Sequence, residues 1–550
     1  MVEIEGEIGA AVRSDRAWEP VFATTDLGDW TGEAEVWIRY MGGPVNLKAV
    51  RDGSQHDLKW VWQSPDFFSW HSFGTFRRDT LGDELIVIRG EHEPSVVDCV
   101  VLVPVTAETE VAQPDMDAGG SDKIVDGLPP DTPDTERAPA PITVFVDWSR
   151  GVGELTADHW AVNDYSVLKP DLAGQPAFND FVSAADPSMI RIHWANLADT
   201  WTDPVTRSWD ADQIKARLDA AIGFGDAELM FCINWWPKWL HEGDVLPSEK
   251  EEEFVRLCAS LPIVMREIGY PLAMIEVPNE LEGKYERAGQ LDRLWQLYIR
   301  CAKAIRAADP NVKIGGPALT WPKPSWVNGF IASGGLAYSD FFTWHNYGSG
   351  QATDPNEDLF AAAERLGQHA RFAMESVAEA GYADMPGYLT EYNVSWTWTT
   401  RDRRMGNTIG AIFQALVVKN VAEAGASGAF VWHVQDNIYG LLKSDGTRRA
   451  PAELFLWNRH LVGLMSPIAS EDPDLIEGIA VRGGDGHAAI LLMVKADHSV
   501  EVHPNASLSA DRPWQTVEAI VPEGLELPAW VPGEPNVLPG YSLLLLSTRP

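Results

Sequence analysis

Residues 274–284 read MIEVPNELEGK, an apolar, strand-like run that stops on Pro278, Asn279 and Glu280 before the chain turns charged. Burial alone predicts that such a strand ends on Ser, Gly or a helix cap. An amide followed by a carboxylic acid is therefore either a pair of solvated loop residues or a group set out for proton chemistry. A second carboxylate in an equivalent place favours the chemistry, and Glu391 occupies one, at the end of the apolar run GYLTEYN. Two carboxylates that face one another suit glycoside hydrolysis. One carries a proton for the leaving oxygen, and the other is ionised to meet the developing oxocarbenium ion. Each raises the proton affinity of the other, and unequal hydrogen bonding lets the two settle into different states.

Such groups need strands to hold them. Across 142–463, apolar runs (ITVFVDW, MIRIHW, ELMFCINWW, AMIEVPNE, KIGGPA, DFFTWHNY, GYLTEYN, GAFVWHV) alternate with longer segments of helical period, among them QLDRLWQLYIRCAKAIRAAD and NTIGAIFQALVVKNVAEAG. Eight strands with intervening helices predict a (β/α)8 TIM barrel. Strands that are apolar throughout fit burial on both faces. An open doubly wound sheet is the rival, but VDWSRGVGE after the first run offers only GxG where a phosphate loop would need more glycines. Barrel chemistry sits at the C-terminal strand ends. There the sequence places His193 and Trp194, then Asn234, Trp235 and Trp236, then Asn279 and Glu280. Further on come His345, Asn346 and Tyr347, then Glu391 and Tyr392, and last Trp432, His433 and Gln435.

The flanks read differently. Residues 1–105 carry short alternating runs punctuated by Gly, Asp and Pro, the pattern of a β-sandwich. Residues 106–141 are rich in Pro, Asp, Thr and Ala and form a linker. Alternation returns in 464–550 as a second, C-terminal β-sandwich. The expected class is thus α/β, a barrel flanked by two sandwiches, as the 550-residue length allows. The 24 Trp are a surplus of the kind that lines sugar clefts. A formal charge of −37 argues against nucleic acid or an anionic membrane surface as partner. Four scattered cysteines make no CxxC, and no apolar run approaches the ~20 residues of a membrane span. The acidic N-terminus lacks the features of a signal peptide, so the chain as written is expected in the cytoplasm, or outside the cell if a leader has been removed.

The segment from 263 to 393 resembles glycoside hydrolase family 39 of the large clan of retaining (β/α)8 glycosidases, a family that includes β-xylosidases and α-L-iduronidases. The matching pieces are VPNE at 277–280, KIGGPA at 313–318, DFFTWHNYG at 340–348 and YLTEYN at 388–393. The resemblance implies Glu280 as general acid/base and Glu391 as nucleophile. It further implies Asn279 on the sugar hydroxyl beside the anomeric carbon, Tyr347 donating to Glu391, and Trp432 as the platform under the reacting sugar. His193 and His345 would bind hydroxyls at the pocket floor. Apart from the resemblance, Trp235 at the end of ELMFCINWW is a further candidate for substrate contact. The resemblance also implies a carbohydrate substrate, a β-linkage, exo action of the xylosidase kind and no cofactor. The first strand departs from the family's histidine- and glycine-containing opening.

Blander readings stand beside these. Glu280 could be a solvated loop acid, and Glu282, lacking a preceding Asn, is expected at the surface. Glu391 could be a helix N-terminal acid, although the next helix is expected to begin well downstream, near Asn407. His193 and His345 could be satisfied core histidines; with no HxH pair and no HExxH helix, a metal site is not expected. Trp235, Trp236 and Trp239 could be packing residues, while Trp396 and Trp398 in a polar loop suit a sugar platform beyond the reacting sugar. Trp60, Trp62, Phe67, Phe68, Trp70 and Phe73 could line a carbohydrate-binding module, a structural cap or an oligomer contact. An endo-acting glycanase of the same clan and a non-catalytic sugar binder on a decayed barrel are the rival functions. The oligomeric state is left open.

Overall fold

A computed structural model describes residues 12–14, 20–23, 33–42, 45–51, 54–61, 69–81, 84–89, 95–105, 133–165, 174–193, 197–397, 402–504 and 513–549. These fall into two compact units, 1–118 and 119–550. The first unit has two four-stranded antiparallel sheets. Val36 and Ile38 on one, and Val45, Leu47 and Ala49 on the other, are buried. Trp62, Phe67 and Phe68, the side chains of Trp60, Trp70 and Phe73, and residues 106–132 of the expected linker lie outside the described residues, while its last two residues, Ala140 and Pro141, open the strand Ala140–Val146.

In the second unit eight parallel strands close into a barrel: Ala161–Asp164, Met189–Ile192, Glu228–Cys232, Met274–Glu276, Lys313–Leu319, Phe341–Ser349, Gly387–Ser395 and Gly428–Val431. Closure is made by Val162 against Val431. Seven of the eight are the strands expected from sequence; the first is not. The run ITVFVDW, as strand Ala140–Val146, belongs to the C-terminal sandwich, where Ile142, Val144 and Val146 pack with Ile490, Leu492, Leu544 and Leu546. Phe145 between them is 45% exposed, so this strand buries one face only and never met the two-faced requirement of a barrel strand. The barrel instead opens on the four residues AVND, too short and polar to announce themselves. The sandwich accordingly reaches beyond 464–550: its four-stranded sheet includes Ala140–Val146 and its six-stranded sheet includes Gly153–Leu155.

The barrel interior is layered by the two-residue period of its strands. At the N-terminal end Ala161, Met189, Met230, Met274, Phe341, Tyr388 and Phe430 form an apolar plug. Gly315 completes that level, because a Cβ there would meet the Phe341 ring at 2.2 Å. Two residues further along the same inward faces stand Asn163, Arg191, Cys232, Glu276 and Thr343, and two further stand His193, Asn234 and His345, all buried. Strand seven reaches the polar level by a register shift. Trp344 pairs with Leu389 but His345 pairs with Glu391, which leaves Thr390 as an extra residue. The bulge turns two consecutive side chains, Thr390 and Glu391, toward the interior. The helices seal the outside. Helix Leu291–Ala308 buries Leu294, Trp295, Tyr298, Cys301, Ala302 and Ile305, the three-and-four spacing of a single stripe. Helix Thr408–Glu423 begins where expected, with the Asn407 side chain accepting from the amides of Ile409 and Gly410.

Candidate active site

Arg191, wholly buried at the middle of strand two, organises the polar level. Its Nε donates to Glu276 Oε2 at 2.7 Å and its Nη1 to Asn163 Oδ1 and Glu391 Oε1, both at 2.8 Å. Its Nη2 donates to Asn279 Oδ1 at 2.7 Å. Burial pulls the guanidinium's pKa down, yet the charges of Glu276 and Glu391 outweigh it and the net direction is upward. For Glu276 burial pulls upward, and the Arg191 charge reverses this to a net lowering. A fixed ion pair thus lies beneath the candidate carboxylates, with Thr390 Oγ1 donating to Glu276 Oε1 at 2.9 Å.

Glu391, 5% exposed, is met by donors on both oxygens. Arg191 serves Oε1, and the Tyr347 hydroxyl donates to Oε2 at 2.9 Å. His193 Nδ1 stands 3.4 Å from Oε1. Charged hydrogen bonds of this kind suit an anionic carboxylate. Glu280 differs. Its side chain remains 36% open at the barrel mouth, and burial against its surroundings pushes its pKa up to about 7, against the opposing charges of Arg191 and Lys284. Its Oε1 lies 2.7 Å from His345 Nδ1. Because His345 Nε2 faces the donor-only Arg191 Nη2 at 3.5 Å, the network assigns the His345 proton to Nδ1, which donates to Glu280. Burial holds the His345 pKa down at about 4, so that ring is neutral near pH 7.

One oxygen of Glu280, one of Glu391 and a ring nitrogen of His345 all lie within 4.8 Å of one another. Among the described residues this is the group with the spacing to hold a cation, and an ion there would sit against the Arg191 charge. The nearest oxygens of the two carboxyl groups thus approach as closely as a covalent double displacement requires, with its carboxyl groups about 5–5.5 Å apart.

The structure therefore brings Glu280, Glu391, Asn279, Tyr347, His193 and His345 together. Trp432 joins them, half-buried and 5.3 Å from His193 between ring centroids. Three expectations change. His345 presents one nitrogen to Glu280 and the other to Arg191, so it supports the carboxyl group instead of facing a sugar hydroxyl. His193, by contrast, has no hydrogen-bond partner on either ring nitrogen among the described residues. Trp235 lies under Lys284, whose Nζ is 3.3 Å from the ring centroid, so a cation covers one indole face. Glu282 is not at the surface but 1% exposed. Trp239 binds Thr202 through its indole nitrogen and Trp236 is buried, both as packing residues. Trp194 and Trp398 lie outside the described residues. Sequence reasoning missed Arg191, Asn163 and Glu276. The signal was there for two of them: a charge inside an apolar strand, two residues before His193 and four before Glu280, in step with the inward face.

Residues 274–434, strands four to eight, match the sequence model of glycosyl hydrolases family 39. A family 39 β-xylosidase from Caulobacter crescentus superposes with a TM-score of 0.55 at 18% identity, over 74% of this chain and 100% of that one. A family 39 enzyme from Xanthomonas axonopodis pv. citri gives 0.54 at 16% identity, over 75% and 98%. A family 51 α-L-arabinofuranosidase from Bifidobacterium longum gives 0.54 at 12%, over 76% and 99%. At such identities the structural likeness speaks for the fold alone.

Proposed function

We propose that this family-39-like, retaining glycoside hydrolase acts on a β-linked neutral sugar, with exo action of the xylosidase kind. In this reading Glu280 protonates the leaving oxygen while Glu391 attacks the anomeric carbon. Glu280 then takes a proton from the water that releases the sugar from Glu391. The observation that carries it is the approach of the two carboxyl groups to within 4.8 Å, one open and proton-holding, the other wrapped in donors. Asn279 accepts from Arg191 through Oδ1, which turns its amide nitrogen away from the guanidinium, as a donor for the sugar hydroxyl next to the reacting carbon. Trp432 and His193 supply a ring face and an uncommitted polar edge beside Glu391.

A neutral sugar is favoured over a uronide by the state of the cations. Arg191 already serves two carboxylates and two amides. Lys284 lies on Trp235 and 3.5 Å from Asp244. A sugar carboxylate would find neither charge free, and a buried unpaired carboxylate is costly. The endo-acting alternative draws on one observation. Trp396, at the end of strand seven, is 56% exposed, and its ring lies against Gly350, where a Cβ would meet the indole nitrogen at 2.7 Å.

A panel of aryl pentosides, hexosides and uronides, followed by proton NMR of the first anomer released, tests substrate and stereochemistry together. The Glu391→Ala variant should lose turnover, and azide should restore it with formation of a glycosyl azide of inverted configuration. Turnover on a uronide alone, or an undiminished rate for Glu391→Ala in water, would overturn the reading.

A further inference from the structure

The double displacement gives the Glu282 carboxyl group no task, yet the chain buries it almost completely beside Glu280. Its Oε1 accepts from the backbone amide of Thr320 at 2.7 Å and from the Thr320 hydroxyl at 2.5 Å. A parallel link lies two residues back in both segments, where the Glu280 amide donates to the Ala318 carbonyl at 3.0 Å. The exits of strands four and five are therefore laced together at two rungs, 280 to 318 and 282 to 320. Both residues of the first rung have left-handed backbones, Glu280 at φ +50° and Ala318 at φ +48°. Non-glycine residues in that region cost of order 1–3 kcal/mol each and persist only where their surroundings hold them. Ala318 is held from outside by its amide donating to Thr343 Oγ1 at 3.0 Å. On the strand-four side the corresponding restraint is the second rung.

We propose that Glu282 is a positioning residue for the acid/base. As a buried acceptor it clamps the turn through Leu281 to strand five, and it keeps the Glu280 carboxyl aimed at the leaving oxygen against the preference of its own backbone. This rests on Glu280 being the acid/base. What the clamp needs from residue 282 is a two-fold acceptor oxygen, which an amide also offers, and not a charge. Shortening the side chain to a methyl group removes the acceptor and leaves the Thr320 donors to other partners, while Glu391 and its Arg191 and Tyr347 contacts lie on other strands.

The experiment measures kcat/KM for Glu282→Ala, Glu282→Gln, Thr320→Val and Glu280→Ala on two aryl glycosides of one sugar. One carries a leaving group that needs protonation (4-methylphenol) and the other one that does not (2,4-dinitrophenol). A general acid is worth roughly 10²–10⁴-fold, so its misalignment in Glu282→Ala should cost about tenfold or more on the first substrate and far less on the second. Glu282→Gln should recover most of the loss, and Thr320→Val, which keeps the amide donor, should fall between. Equal losses on both substrates would mark a general structural defect and overturn the clamp. So would Glu282→Gln as poor as Glu282→Ala. Should Glu282→Ala fail to fold, Glu282→Gln and Thr320→Val decide by the same ratio of substrates. If Glu280→Ala itself shows no leaving-group dependence, it is the acid/base assignment that fails, and not the clamp alone.

Discussion

Replacing Tyr347 by Phe deletes one oxygen and with it the hydrogen bond to Glu391 Oε2 at 2.9 Å. The ring stays, so packing against its neighbours is preserved, and Glu391 keeps the Arg191 bond at 2.8 Å and the His193 approach at 3.4 Å. A hydrogen bond to a charged group is worth about 1.5–3 kcal/mol net. At about 1.36 kcal/mol per factor of ten, kcat/KM should fall roughly 13- to 160-fold if that bond is fully expressed in the transition state of the first step. The loss lies on the nucleophile, so it should be the same for a 2,4-dinitrophenyl and a 4-methylphenyl glycoside, opposite to the pattern expected of Glu280→Ala. The bond also belongs to the folded state, so the melting temperature should fall, by roughly 2 °C or less per kcal/mol in a chain of this size. The assay is initial-rate kinetics on both substrates beside a melting curve. A fall of less than about threefold, or a loss that tracks the leaving group, would refute the assignment of Tyr347 to the support of Glu391.

Arg191→Met should strip two buried carboxylates of their counter-charge, and breaking such a pair costs about 3–5 kcal/mol; urea titration reads this, and an unchanged midpoint would contradict the central role of the guanidinium. The pKa of Glu280, pushed up to about 7, keeps its proton in place below that pH and surrenders it above, so kcat/KM on a poor leaving group should decline as pH rises through about 7. A profile flat to pH 9 would show that another group delivers the proton. Trp396→Ala should leave aryl monosaccharide kinetics unaltered; a several-fold loss confined to longer oligosaccharides would favour the endo reading over the exo one, as judged by product lengths.

Legibility varied with how local the physics was. Seven barrel strands could be recognised because helices on the outside and packed side chains on the inside demand apolar residues on both faces, and runs such as ELMFCINWW and GAFVWHV display it. The eighth escaped because closing a barrel needs only four residues, AVND, to complete the ladder, while the neighbouring ITVFVDW looked better and packed elsewhere. Glu280 and Glu391 could be named because each interrupts an apolar strand at its C-terminal end. Arg191 and Glu276 interrupt strands as well, and only the inward period of two, read together with His193 and Glu280, would have promoted them.

By itself the sequence named the candidate groups, a carboxyl group and an amide at one strand end and a second carboxyl at another, because each interrupts an apolar run. It also determined the barrel, because backbone polarity and side-chain periodicity act over a few residues. Tertiary structure alone decided which groups share a proton network. The contacts of Arg191 span 28, 85, 88 and 200 residues, and the clamp of Glu282 on Thr320 spans 38. Burial, and the rise of the Glu280 pKa with it, follows from what other strands place around a side chain, and closure of the barrel settles that after local preference has been spent.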